Sequence, residues 1–155
     1  MSAIVECQIV ESDAEFAECL NLRIEVFVHE QGVPEEEELD ELDASAIHLL
    51  ARCGGAAVGT GRLVVEDGRG RIGRMAVRQD RRRQGIGTAI VQRFLALAQE
   101  QGLQAVYLAA QLHAIPFYER FGFAAEGEIH LDGGLPHRWM TLRFDHESAQ
   151  ISLTH

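Results

Sequence analysis

Apolar and polar residues alternate in short bursts along most of this chain, and at three places the period lengthens to that of a helix. ECQIV at 6–10 has the pattern of a first strand. Ser12 with Glu15 forms a capping-box pair, and Phe16, Leu20, Ile24 and Phe27 follow at helical spacing. The spacing predicts one helix running to Val28. Gly32 and Pro34 then break it. The acidic run Glu35 to Glu38, with Asp40, Glu41 and Asp43, is expected in solvent, with room for a second short helix.

Three strand patterns come next, IHLLARC (47–53), AVGTGRLVV (57–65) and RIGRMAV (71–77), joined by turn-forming CGGA and EDGRG. A long helix is predicted from about Gln84 to Gln101, with Ile86, Ile90, Phe94 and Leu97 on one face and Gly102 as its stop. QAVYLAA (104–110) reads as a buried strand. A short helix with Pro116 near its start and Gly122 at its end follows, then two strands, FAAEGEIHL and HRWMTLRF. The order predicts an α/β (α+β) fold in a single domain over 1–144. Its central sheet is mixed, mostly antiparallel, of about seven strands, with helices on both faces. RIGRMAV, the long helix and QAVYLAA should form a β-α-β crossover with parallel strands. Residues 145–155 are expected to be a frayed tail.

Composition removes whole classes of function. The net charge of −10 argues against nucleic acid or an anionic membrane as partner. No apolar run approaches the roughly 18 residues of a membrane span. Cys7, Cys19 and Cys53 are odd in number and widely spaced, which suits reduced cytoplasmic thiols better than a zinc site. Neither His-x-x-x-His nor paired cysteines occur, so no metal is expected.

Against that acidic background, RRRQGIGTAI (81–90) breaks two local rules. Gly85 and Gly87 stand where a helix begins, although Gly costs roughly 1 kcal/mol there relative to Ala. Arginines crowd the same end, where the helix dipole disfavours cations. A phosphate removes both conflicts, because it satisfies the free N–H groups, offsets the arginines and approaches backbone that carries no Cβ. The ligand inferred is a pyrophosphate. Gly87 is followed by Thr88 and no lysine, so this is not a P-loop, and Ile90 stands where a dinucleotide fingerprint needs a small residue.

What remains, Arg82-x-x-Gly85-x-Gly87 after a strand ending Met75-Ala76-Val77, resembles the signature of the GNAT superfamily of acyl-CoA-dependent N-acyltransferases. Ala114-x-x-Phe117-Tyr118-x-x-x-Gly122-Phe123 supplies a second matching piece. LRIEVFVHEQGVPEEEELDELD (22–43) with Ala46-Ile47-His48, AQLHAIPFYERFGF (110–123) and LPHRWM (135–140) are similar to its small ElaA/YjcF-like branch. The resemblance implies acetyl-CoA as acyl donor. Its pyrophosphate would lie on the backbone of Arg82, Arg83, Gln84, Gly85, Ile86, Gly87 and Thr88. Its pantetheine would run along Met75, Ala76 and Val77, with Gln111, Ala114, Phe117 and Tyr118 beyond. Gln111 stands where many members carry Asn, which puts that side-chain contact in question.

N-acylation needs a neutral amine, a donor for the oxyanion and a proton for the departing thiolate. By resemblance Tyr118 is the general acid, and a backbone N–H near Met75 or Val77 serves the oxyanion. The base is open among Glu30, Glu37, Asp40, His48, Glu66, His113 and His137. The branch-specific segments nominate Arg23, Phe27, Glu30, Gln31, Asp40, His48, Gln111 and His137 for the acceptor pocket. The expected acceptor is a small-molecule or peptide primary amine, and exposed sheet edges suit a homodimer. Two rival readings stand beside this one. Arg23 and Phe27 followed by Asp40 and Asp43 also fit an acyl-homoserine-lactone synthase. A non-catalytic acyl-CoA sensor would share every motif but Tyr118.

Overall fold

The computed structural model describes residues 4–144; the tail expected from Asp145 lies outside them. In chain order the elements are β1 (Val5–Ile9), α1 (Asp13–Arg23), β2 (Ile47–Cys53), β3 (Ala56–Glu66), β4 (Arg69–Val77), α2 (Ile86–Glu100), β5 (Ala105–Gln111), α3 (Ile115–Glu119), β6 (Ala124–Asp132) and β7 (Leu135–Arg143). The strands hydrogen-bond in the order β1-β2-β3-β4-β5-β7-β6. Pairings β1–β2, β2–β3, β5–β7 and β6–β7 are antiparallel, and β4–β5 is parallel, as the β-α-β pattern requires. The parallel register joins Arg69, Gly70 and Arg71 to Ala105, Val106 and Tyr107. The described chain forms two compact units, residues 4–64 with Ile72–Phe94, and Val65–Arg71 with residues 95–144.

In the first unit, Ser12 caps α1 by accepting a hydrogen bond from the Glu15 N–H at 3.2 Å. The Glu15 carboxylate reaches back to the Glu11 N–H at 2.8 Å, one residue earlier than a standard capping box. The helix differs from its sequence prediction at the other end. α1 stops at Arg23, and Ile24–Glu30 continue as a π-helix. The fully buried positions are Cys19, Leu22, Arg23 and Val26, whereas Phe16, Leu20, Ile24 and Phe27 are half-buried. Cys19 and Leu22 pack on Leu50 of β2. The acidic stretch forms two short 3₁₀ turns, Glu35–Glu37 and Glu41–Ala44, in place of one further helix.

α2 approaches β3 closely because β3 has no side chain at two inward positions. A Cβ on Gly59 would lie 2.8 Å from Ile86 Cγ2. One on Gly61 would lie 2.8 Å from both Met75 Sδ and Phe94 Cε2. Ile86, Ile90 and Phe94, which make these contacts, are fully buried. Gly-Thr-Gly inside a strand is thus a docking seat for the helix whose first turn carries the glycine loop.

In the second unit, β5 buries Ala105, Val106, Leu108 and Ala110, and β7 buries Met140. β6 and β7 lose register between Glu126 and His130. Gly127 takes φ 73° at this bulge, and Arg138 donates from Nε and Nη2 to its carbonyl at 3.1 and 2.8 Å.

Gly61→Ala is expected to destabilise the protein by about 1–3 kcal/mol through overpacking against Met75 and Phe94. Equilibrium denaturation measures it, and an unchanged midpoint would contradict this close seat.

Candidate functional site

The glycine loop begins where β4 ends. Arg78 N–H donates to Val58 O at 2.9 Å, and a 3₁₀ turn (Gln79–Arg81) follows. Arg83 and Gly85 then adopt φ 66° and 82°, with Gln84 between them outside the left-handed region. Backbone of alternating hand turns successive N–H groups to one side, the geometry of an anion nest. Ala89 N–H donates to Gly85 O at 3.0 Å, which makes Gly85 the N-cap of α2. The N–H groups of Ile86, Gly87 and Thr88 fall in the first turn, where helix geometry gives them no acceptor. A Cβ built on Gly85 meets nothing within 4 Å, so the loop is open on that side. Arg83 holds a left-handed conformation that disfavours a side chain by roughly 1–2 kcal/mol. Such strain collects at ligand clamps. Donor set, free volume and backbone hand all fit a diphosphate.

The arginines around this loop divide by partner. Arg82 Nε donates to Val77 O at 3.1 Å, and its Nη2 pairs with Glu30 Oε1 at 2.8 Å. Arg78 pairs with Asp80 at 3.0 Å. Arg82 is expected among the cofactor contacts, yet its head group already bridges protein partners, so its share in a diphosphate site falls to the main chain. Met75, Ala76 and Val77 close β4, with Ala76 buried and the other two half-buried. Just before them Arg74 adopts φ 52° inside the strand.

Arg74 belongs to a cluster that the sequence did not disclose. Arg23 on α1 is 1 % exposed, yet all three of its nitrogens are used. Nε donates to Glu38 Oε1 at 2.8 Å, Nη1 to Asp43 Oδ1 at 2.8 Å, and Nη2 to Glu38 O at 2.6 Å and Asp43 Oδ2 at 3.1 Å. Arg62 of β3 donates from Nη1 to Asp40 and Asp43 at 2.7 and 2.9 Å. Its Nη2 meets the other Asp40 oxygen at 2.9 Å. Arg74 Nη2 reaches Asp40 at 3.2 Å, and its Nε lies 3.4 Å from Glu38. His48 of β2 meets Asp43 O through Nε2 at 2.9 Å; a carbonyl only accepts, so Nε2 carries the proton. Its ring packs edge-on against Phe16 at 4.8 Å.

This corrects the expectation that the acidic run is solvated. Glu35, Glu36, Glu37 and Glu41 are exposed, but Glu38 and Asp43 are buried and Asp40 is half-buried. The reason is charge pairing with arginines of α1, β3 and β4. Arg23, Asp40 and His48, nominated for the acceptor pocket, are held in the cluster. Phe27 and Glu30 lie on the π-helix with Gln31 as its C-cap. Burial opposes the charge on Asp43, but hydrogen bonds from Arg23, the Asp40 N–H and Arg62 outweigh it and hold the carboxyl well below the usual range. Asp40 is lowered chiefly by its hydrogen bond from Arg62.

The remaining candidates lie in the second unit. Tyr118 sits on α3 and is buried, its ring 4.9 Å from Phe117 and 5.9 Å from Phe123, both edge-on. Burial pushes its phenol up to about 12. Ala114 is the N-cap of α3, and His113 is exposed in the turn before it. Gln111 ends β5 directly opposite His137 of β7. His137 is buried and engages Leu135 O through Nδ1 at 2.7 Å. Glu66, at the end of β3, is exposed. Among the described residues no cluster of His, Cys, Asp and Glu could hold a metal, and Cys7, Cys19 and Cys53 are free thiols. No described helix is long and apolar enough to cross a membrane.

Comparison with known proteins defines the class. The sequence model of the acetyltransferase (GNAT) family matches residues 16–123, and the chain belongs to that family. An uncharacterized N-acetyltransferase of Bacillus subtilis, YjcF, is 36% identical over 133 residues, covering 85% of this chain and 95% of its own. The crystal structure of an acyl-CoA N-acyltransferase from Pseudomonas aeruginosa superposes with TM-score 0.78 at 34% identity, covering 89% of this chain and 98% of its own. That of Escherichia coli ElaA gives TM-score 0.80 at 28% identity, covering 89% and 99%.

Asp43→Asn removes one charge facing both Arg23 and Arg62, and a loss of about 3–5 kcal/mol is expected. The depressed carboxyls of Asp40 and Asp43 contribute stability fully above about pH 4, lost as pH falls through their folded values. Denaturation midpoints of wild type should therefore fall with acidification below about pH 4, and Asp43→Asn should flatten that slope. A variant as stable as wild type at pH 7 would refute the cluster's role.

Proposed function

We propose that this protein transfers an acetyl group from acetyl-CoA to a primary amine of a small molecule or peptide, with Tyr118 as general acid. The carrying observation is the glycine loop, where left-handed Arg83 and Gly85 feed the open first turn of α2. Its backbone from Arg83 to Thr88 would hold the diphosphate, and main-chain groups at Met75 and Val77 the pantetheine. The bound donor supplies a thioester; the neutral amine attacks its carbonyl carbon, the carbon–sulfur bond breaks, Tyr118 gives its proton to the departing sulfur, and the proton shed by the new amide nitrogen restores the phenol.

Tyr118 keeps its proton throughout the neutral range, since burial raises the phenol to about 12. A free thiol ionises near 8.5, so transfer from such a phenol to a solvated thiolate is uphill. The same apolar surroundings penalise a thiolate, which narrows the gap and couples the transfer to cleavage of the carbon–sulfur bond. A sensor without turnover would have no use for this group. The spacing of Arg23, Asp40 and Asp43, which also suggests a homoserine-lactone synthase, is accounted for by their ion pairs.

Free-thiol release from acetyl-CoA with pooled primary amines tests the reaction. Gly87→Glu places bulk and negative charge among the proposed phosphate donors, yet an acid suits a helix start. It should weaken CoA binding at least about tenfold with little change in thermal midpoint; retained affinity would refute the loop. Tyr118→Phe should slow thiol release at least about a hundredfold while CoA still binds. Phenolate absorbance lost in that variant should develop near pH 12, not near 10. Turnover at the wild-type rate would remove Tyr118 as the acid.

A further inference from the structure

Arg82 stands at the entrance of the glycine loop and is joined to two other elements of the first unit. Its Nε holds Val77 O at the end of β4, and its Nη2 holds Glu30, the last residue of the π-helix. That helix is held irregularly. Gln31 N–H donates five residues back to Val26 O, Gly32 four back to Val28 O, and Val33 six back to Phe27 O. Of its seven residues only Val26 is buried. Few buried contacts and wide hydrogen-bonded turns mark a segment that opens easily. The guanidinium of Arg82 tethers its end.

We propose that the Arg82–Glu30 pair couples occupancy of the glycine loop to order in Ile24–Val33, the segment that carries the acceptor candidates Phe27, Glu30 and Gln31. The proposal rests on the reading that CoA binds the loop. A diphosphate bonded to the loop amides fixes the backbone of Arg83, and Arg82 is the adjoining residue. Its guanidinium then has less freedom to lose when it pairs with Glu30, so the pair persists and the π-helix opens less often. The coupling is reciprocal, so whatever orders the π-helix also tightens the loop. Arg82 and Glu30 act here as positioning residues. Both side chains are partly exposed, which limits the effect to about two- to fivefold.

Amide hydrogen exchange of wild type and Glu30→Ala, with and without saturating CoA, tests this. In wild type, CoA should slow exchange over 24–33 about two- to fivefold along with that over 83–88. In Glu30→Ala the effect at 24–33 should vanish while that at 83–88 remains. Arg82→Gln removes the same pair from the other side and should behave alike. A protected loop with unchanged exchange at 24–33 in wild type would overturn the coupling and leave the cofactor reading intact. Protection at 24–33 that survives both substitutions would overturn the pair as its carrier. Absence of any CoA effect on 83–88 would overturn the cofactor reading and the coupling together.

Discussion

Three guanidinium groups and three carboxylates cancel inside the first unit, and its other features depend on that balance. Arg23, Arg62 and Arg74 come from α1, β3 and β4, while Glu38, Asp40 and Asp43 come from one acidic stretch. Buried charges of either sign alone would be untenable. Together they draw a highly charged segment against the sheet and fix the end of α1 from which the π-helix starts. Apolar residues of similar volume could match or exceed the stability of such a cluster. The ionic version has a directional advantage. Arg23 accepts one arrangement of Glu38 and Asp43, so the loop has one register.

That arrangement explains which parts of the molecule can be read from sequence. β2 was expected at 47–53 and spans Ile47–Cys53, because alternation is a local signal. The start of α2 was visible as a conflict between glycines, arginines and a helix, and the backbone resolves it with left-handed Arg83 and Gly85. The apolar period continues smoothly from α1 into the π-turns, so the pattern alone does not mark the end of α1 at Arg23. Glu38 and Asp43 cannot be told from solvated acids by local pattern, since their partners Arg23, Arg62 and Arg74 lie 15 to 36 residues away in the chain. The Gly59-Thr-Gly61 step was legible in principle: glycines inside a strand announce close backbone approach. Its partner, the first turns of α2, was the missing half.

The residues proposed for the chemistry differ in how they are held. The glycine loop is strained backbone on a well-packed helix, with Ile86 and Ile90 buried immediately behind it. Tyr118 is a phenol wrapped by Phe117 and Phe123, which keeps it protonated. Rigid backbone suits the proposed diphosphate contact, and a dry phenol suits the proposed proton transfer. The π-helix, with Val26 buried and Phe27 half-buried, carries the acceptor candidates Phe27 and Glu30 on irregular backbone.

In the proposed complex the amides opening α2 grip the diphosphate of coenzyme A. Backbone amide resonances recorded during titration with CoA, and in parallel with pantetheine, which lacks the diphosphate, test it most directly. A diphosphate held by those amides gives large shifts at Arg83 to Thr88 with CoA and little change there with pantetheine. Saturable CoA binding that leaves those six resonances in place would contradict it.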